Sequence, residues 1–308
     1  MNGLKLAKKY YNETAAALLQ AEFADLFPCL AVGLCGSGSE CFGYDDSLST
    51  DHDFEPGFII FIPGEDVISR SDAFRLEKFY NSLPNEFSGF TRQKILPGGG
   101  SRHGIIRTGD FFLSKTGRPD GNLSPADWLS VPENYFLEAT NGEIFLDNYG
   151  ELTMTRAKLS YFPEDIRIKK IVGNLIIMYQ SGAENLERAI KRGDNGGAAL
   201  SAYNFTQSAM HTSFLLNKRY MPYYKWAFRA FSELPIKTVD AEQLISILND
   251  SELRSLLVPS VFRSLSLSVC EAFSLSHGLA ESPERLALSL NDLITDNNLR
   301  NAGLLAGV

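Results

Sequence analysis

From residue 155 onward, apolar residues recur only at helical spacing, in windows over 164–192, 195–218, 223–232, 241–249, 251–276 and 283–296. No alternating run of any length interrupts them. The first 155 residues read differently. Short apolar runs of strand length, Leu30-Ala31-Val32-Gly33-Leu34 and Phe58-Ile59-Ile60-Phe61-Ile62, sit among helical segments and glycine-rich turns. Such a chain is neither one sheet nor one bundle. It predicts an α+β fold: a small mixed-sheet domain over residues 1–155, followed by an all-α helical bundle domain over 156–308. The boundary falls just before the breaker Tyr161-Phe162-Pro163.

Within the first part, residues 3–27 carry an amphipathic helical pattern that Pro28 ends. Residues 71–83 predict a second helix. Ser124 followed by Pro125 predicts a capped helix start, and Ile105-Ile106 suggests a third strand. Residues 143–153 predict a hairpin turning at Asn148-Tyr149-Gly150. Pro97-Gly98-Gly99-Gly100 suits neither helix nor strand and reads as a loop.

Between the first two strands lies the chemistry-bearing stretch, Gly36-Ser37-Gly38-Ser39 and then Asp51-His52-Asp53. A small, hydroxyl-bearing turn offers backbone N–H groups and hydroxyls to phosphate. Two carboxylates one residue apart share a face of an extended chain and repel each other unless a cation sits between them. Mg2+ is the natural cation for oxygen ligands beside phosphate. Gly36, Ser37, Gly38 and Ser39 are therefore the expected nucleotide-binding residues, and Asp51 and Asp53 the expected metal ligands and catalytic carboxylates. His52 points away from them and reads as packing behind the strand.

Gly36-Ser37, a gap of thirteen residues, and Asp51-His52-Asp53 resemble the signature of the DNA polymerase beta-like nucleotidyltransferase superfamily. In that signature the residue between the two acids is usually apolar, and His52 departs from it. The longer string from Gly36 to Phe54, with Leu216-Asn217-Lys218-Arg219-Tyr220-Met221-Pro222 and Lys225-Trp226, resembles a bacterial family of nucleotidyltransferase-like proteins with a helical C-terminal part. The resemblance spans nearly the whole chain. It implies a nucleotidyltransferase-like first domain, one or two Mg2+ ions, an NTP substrate, and a helical domain that holds the acceptor. It also implies a third carboxylate on a later strand. Asp110, Glu138 and Asp147 are the candidates, and Asp147, at the end of a convincing strand, is slightly preferred among them, although a turn-capping role beside Tyr149-Gly150 is the stronger reading of that residue.

Several cations are candidate phosphate ligands. Lys225 and Arg229 share a helix face, with Lys218 and Arg219 just upstream. Lys225 is preferred because it falls within the resemblance; solvated helix ends are the alternative. Trp226 reads as core. Arg92, Lys94, Arg102, His103 and Arg107 cluster in the loop over 90–107, either as a lid over phosphate or as plain surface. His211, mid-helix, reads as a satisfied histidine.

The formal charge is −8, with a sequence pI near 5.2. That argues against a nucleic-acid partner and favours a small polar or cationic acceptor. Cys29, Cys35, Cys41 and Cys270 form no CxxC pair and read as reduced core thiols. The first residues lack a signal-peptide pattern, and no apolar run is long enough to span a membrane, so a cytoplasmic location without membrane association is expected. The expected activity is Mg2+-dependent transfer of NMP from an NTP to an acceptor hydroxyl, with a small molecule the favoured acceptor. The alternatives are toxin-like transfer to protein or tRNA, and a non-catalytic nucleotide-binding regulatory protein.

Overall fold

The computed structural model describes residues 2–46, 55–92 and 103–308. Asp51, His52, Asp53, Lys94, Arg102 and the Pro97-Gly98-Gly99-Gly100 stretch lie outside the described residues. The fold is mixed α+β, mostly helical with a small mixed sheet. The chain divides into two compact units. One comprises Met1–Leu123 with Tyr135–Ser160, the other Ser124–Asn134 with Tyr161–Val308.

In the first unit, α1 (Gly3–Tyr10) starts on Asn2, whose side chain accepts from the Lys5 N–H. The helical path continues through a π-helical turn, Tyr11–Ala15, into α2 (Ala16–Glu22). Then come β1 (Ala31–Leu34), α3 (Ser39–Phe42), β2 (Ile59–Ile62) and α4 (Arg70–Ser82). The two-residue strands β3 (Glu86–Phe87) and β4 (Phe90–Thr91) pair with each other. They precede β5 (Gly104–Arg107) and α5 (Thr108–Thr116). After α6 (Pro125–Ser130) and α7 (Glu133–Thr140), the unit closes with β6 (Glu143–Asp147) and α8 (Glu151–Lys158).

The four-stranded sheet runs β5-β2-β1-β6. β1 is antiparallel to both β2 and β6, and β2 is parallel to β5. Both faces of β1 and β2 are buried, which explains their unbroken apolar runs. One face packs on Tyr10, Tyr11, Leu19, Phe58 and Tyr80. The β1–β6 ladder shifts register between Val32 and Gly33. A Cβ on Gly33 would stand 2.7 Å from the Glu143 carbonyl oxygen, so only glycine lets β6 lie this close.

The expected hairpin over 143–153 does not form. β6 pairs back to β1, and the chain then turns into α8. Asp147 drives that turn, since its carboxylate accepts from the N–H groups of Gly150 and Thr153, both at 2.8 Å, with Gly150 at φ 80°.

The second unit is all helical. α6 begins on a capping box in which Ser124 and Asp127 satisfy each other's backbone N–H groups. α9 (Glu164–Met178) runs through a π-helical segment, Tyr179–Asn185, into α10 (Leu186–Lys191). α11 (Asn195–Leu216) packs along them as the longest helix. α12 (Tyr224–Ser232), α13 (Ala241–Asn249), α14 (Arg254–Ala272), α15 (Pro283–Asn291) and α16 (Asn297–Asn301) complete the bundle. Gly182 is where the π-helical segment meets α11 and α14: a Cβ there would stand 2.6 Å from Phe205 and 2.7 Å from Val258. Among the described residues no helix is long and apolar enough to cross a membrane.

Candidate functional site

The glycine-serine turn leaves β1 at Leu34 and enters α3 at Ser39. Gly36 takes φ 124°, a conformation that side chains rarely adopt. Asn141, just past α7, fixes it there. Its Oδ1 accepts from the Gly36 N–H at 2.9 Å, and its Nδ2 donates to the Gly36 carbonyl at 2.7 Å. Asn141 is held in turn by Arg156, whose Nη2 donates to the Asn141 carbonyl at 2.6 Å and also to the Thr140 carbonyl. The Gly36 N–H is therefore committed within the protein and is not a spare donor for phosphate. Gly36 shapes the turn; Ser37 is its exposed residue.

Gly38 is buried, with the Glu40 side chain folded over it so that a Cβ would meet Glu40 Oε1 at 2.1 Å. Cys35 lies beneath the turn. Burial pushes its thiol up to about 11, only partly offset by Arg156, so it is a packing group rather than a nucleophile. The cysteines are free thiols, with Cys35, Cys41 and Cys270 buried.

Strand register locates the other groups. Gly33 pairs with Ile59, Leu34 with Glu143, and Ile59 with Gly104, so these residues and the Gly36 turn share one end of the sheet. Glu55, the first described residue after Asp51 and Asp53 in the sequence, leads into β2 at that same end. There His103 packs against Gly57 and its Nδ1 lies 3.0 Å from Glu55 Oε1.

Asp147 pairs with Ala31 at the opposite end. Three residues of strand, roughly 10 Å at about 3.3 Å each, separate it from the turn end. With its carboxylate capping α8, Asp147 does not join the turn. Glu138 is buried and pairs with Lys115 Nζ at 2.6 Å, and Asp110 lies in the first turn of α5. Among the described residues no group of three His, Cys, Asp or Glu side chains could hold a metal ion. The expectation of Mg2+ rests on Asp51 and Asp53.

The loop cations are structural where they are described. Arg92 is buried, donates to the Leu83 carbonyl at 3.0 Å and lies over the Tyr80 ring at 4.8 Å. Arg107 donates to the carbonyls of Pro63 and Ile68. Neither serves a phosphate lid. In the second unit, Lys225 is exposed with its Nζ 5.1 Å from the Trp226 ring centre. Lys218 and Arg219 are exposed after the end of α11, and Lys218 takes the left-handed conformation, φ 51°.

A second site, invisible at the sequence level, lies wholly within the helical unit. A cleft of about 1160 Å³ opens there, with walls from α6, α9, α11 and the stretch around Met221. At its base Glu133, the first residue of α7, is buried. Its Oε1 lies 3.3 Å from His211 Nδ1, and its Oε2 accepts from the Met221 N–H at 3.1 Å. Burial alone would raise this carboxyl. The charges of His211 and Lys170 and the hydrogen bonds from His211 and Met221 outweigh burial and hold it below its ordinary value.

Lys170, also buried, donates to the Gly307 carbonyl at 3.0 Å and lies over the Phe162 ring at 5.2 Å. Burial pushes its ammonium down, and Glu133 partly restores it. Half-buried Tyr161 and buried Tyr220 are raised chiefly by loss of solvent, Tyr161 further by Glu133, and Tyr220 further by Tyr161 and Glu133.

Residues 128–227 match the family described as Domain of unknown function (DUF4037). No curated protein and no solved structure matches the chain. The matched stretch includes Glu133, Lys170 and His211, whereas the Gly36 turn and the Asp51-His52-Asp53 run lie upstream of it.

Sequence reasoning found His211 but not its partner. Glu133 stands 78 residues earlier beside Pro132 and resembles any helix-opening acid. The one local signal was Tyr223-Tyr224, two adjacent aromatics that a short amphipathic helix cannot both bury.

Proposed function

We propose that this chain is a Mg2+-dependent nucleotidyltransferase of the DNA polymerase beta-like kind, acting in the cytoplasm on an NTP and an acceptor hydroxyl. The observation that carries the reading is the connection from β1 to β2. A buried strand ends in a turn whose Gly36 peptide is locked by Asn141. A short helix follows, and β2, the first described strand after Asp51 and Asp53 in the sequence, is an antiparallel neighbour of β1 that begins at the same end of the sheet. A sheet-bearing unit and an all-helical unit, each compact by itself, support the reading.

In this reading Asp51 and Asp53 would hold Mg2+, which when bound supplies positive charge against phosphate oxygens. Ser37 offers an exposed hydroxyl to the phosphate tail. Gly36 contributes conformation instead of a donor. The net charge of −8 supports a small-molecule acceptor over nucleic acid.

A second reading, a non-catalytic nucleotide-binding regulator, is favoured by the placement of Asp147. The carboxylate expected to complete the site caps α8 at the other end of the sheet.

The deciding experiment incubates the full chain and Mg2+ with each α-labelled NTP and, separately, the small-molecule, tRNA and protein fractions of a cell extract. Label on a small molecule, lost in Asp53→Asn, is the expected result. Label on tRNA or protein replaces the acceptor. Mg2+-dependent NTP binding without transfer leaves the regulatory reading, and absence of NTP binding overturns both.

A further inference from the structure

The cleft of the helical unit carries an inference that does not depend on the nucleotide chemistry. Its charged side chains are already matched. Glu133 is engaged by His211 and the Met221 N–H, with Lys170 nearby. Lys170 is engaged by the Gly307 carbonyl and the face of Phe162. A phosphate or an ammonium ion entering the cleft would meet no bare side chain of opposite charge and would have to compete with these contacts.

What the walls leave open is neutral and flat. Asn134, Gln180, Asn204 and Gln207 line the cleft, and their side chains make no hydrogen bond with other described residues. Each carboxamide offers a donor pair and an acceptor in one plane. Tyrosine rings accompany them. Tyr203, Tyr223 and Tyr224 line the same cleft while remaining 48%, 50% and 71% exposed, and the last two rings stand 4.3 Å apart. Large rings left in water beside a cavity offer apolar faces with polar rims.

Open carboxamides and exposed ring faces, around a cleft with internally matched charge, are complementary to one chemistry. The ligand has C–H faces to lie on the rings and adjacent hydroxyls to bridge the amides, and it has no net charge. At about 1160 Å³ the cleft exceeds the usual range for small-ligand pockets, roughly 300–1,000 Å³, and has room for more than one sugar ring. We propose that this cleft binds a neutral oligosaccharide, or a neutral glycosyl portion of a larger molecule, stacked on the exposed tyrosines and held by Gln207 and Asn204.

The test uses the full chain and three uncharged probes: maltotriose, cellotriose and triacetylchitotriose. Glucosamine and glucose 6-phosphate serve as charged counterparts. Saturation-transfer NMR reports contact, and calorimetry reports affinity. At least one trisaccharide should bind, with transfer strongest at ring C–H protons. Gln207→Ala and Tyr203→Ala should each weaken it about fivefold, the scale of one neutral hydrogen bond or one stacking contact, with unchanged melting. Leu200→Ala, exposed on α11 but outside the cleft wall, should bind like the parent chain. The proposal is overturned if none of the three trisaccharides binds, if a charged probe binds more tightly than all of them, or if Gln207→Ala and Tyr203→Ala leave affinity unaltered.

Discussion

Asn141 grips Gly36 by both polar groups of its backbone, taking the N–H at 2.9 Å and giving to the carbonyl at 2.7 Å. One side chain thereby does for an isolated turn what a neighbouring strand does for a ladder. Asn141→Ala should lower unfolding free energy by about 2 kcal/mol, because two part-buried backbone groups lose their partner. Asn141→Asp keeps the acceptor but sets a second carboxylate oxygen against the Gly36 carbonyl, so it should not restore the lost stability. Urea unfolding of both variants checks this; equal stability to the parent would mean that the turn holds its shape without Asn141.

Gly142 follows at once and is less replaceable. Its φ is 68°, and a Cβ would stand 1.9 Å from the Leu34 carbonyl oxygen, backbone that cannot step aside. Gly142→Ala should cost at least about 3 kcal/mol, the sum of backbone strain and overpacking. Gly43→Ala, also at positive φ but with nothing within 4 Å of a Cβ, should cost only the strain. Thermal melting of the pair separates close approach from conformation.

Glu133 predicts an acid limit for the helical unit. Its carboxyl is held below the ordinary 4.5 when folded. The stabilisation it gives is fully present above the unfolded value and disappears as pH falls through the folded one. Urea midpoints of the parent chain should therefore decline below pH 4.5. Glu133→Gln should lose about 2 kcal/mol at neutral pH, as expected for charge-assisted hydrogen bonds, and should show a shallower acid slope. Parallel pH profiles would rule out a titrating role for Glu133.

Lys225 tests the phosphate clamp. It is exposed and, among the described residues, rests on the Trp226 ring, so Lys225→Ala should change melting by little, within about 1 kcal/mol. If its ammonium meets a triphosphate, NTP affinity should fall about tenfold, while Lys218→Ala leaves it unchanged. Calorimetric titration of the two variants side by side decides between clamp and surface.

What could be read from the sequence followed from local pattern. The β1 and β2 strands announce themselves as unbroken apolar runs because both their faces are covered. Ser124 and Asp127 spell out a capping box within four residues. β6 was legible as a strand, yet its partner was misjudged: a hairpin and a return to β1 look alike until the carboxylate of Asp147 is seen closing on Gly150 and Thr153. Charge misled in the loop after β4, where Arg92 stays inside because Tyr80 and the Leu83 carbonyl receive it. The Glu133–His211 contact was beyond reach, since nothing in residues 130–136 encodes a partner on α11.

The two compact units trade segments along the chain, with Ser124–Asn134 counted in the second and Tyr135–Ser160 in the first. A ribosome therefore releases the parts out of order. The sheet waits for β6, the neighbour of β1, until after the opening piece of the helical unit has emerged. That piece, in turn, stays without its companions until Tyr161 and the helices beyond it appear. Domain-by-domain folding during synthesis, the usual course for larger chains, can begin only once Ser160 has emerged, with Ser124–Asn134 held over until the later helices arrive. A single cut near residue 155 would yield two fragments, each lacking part of itself.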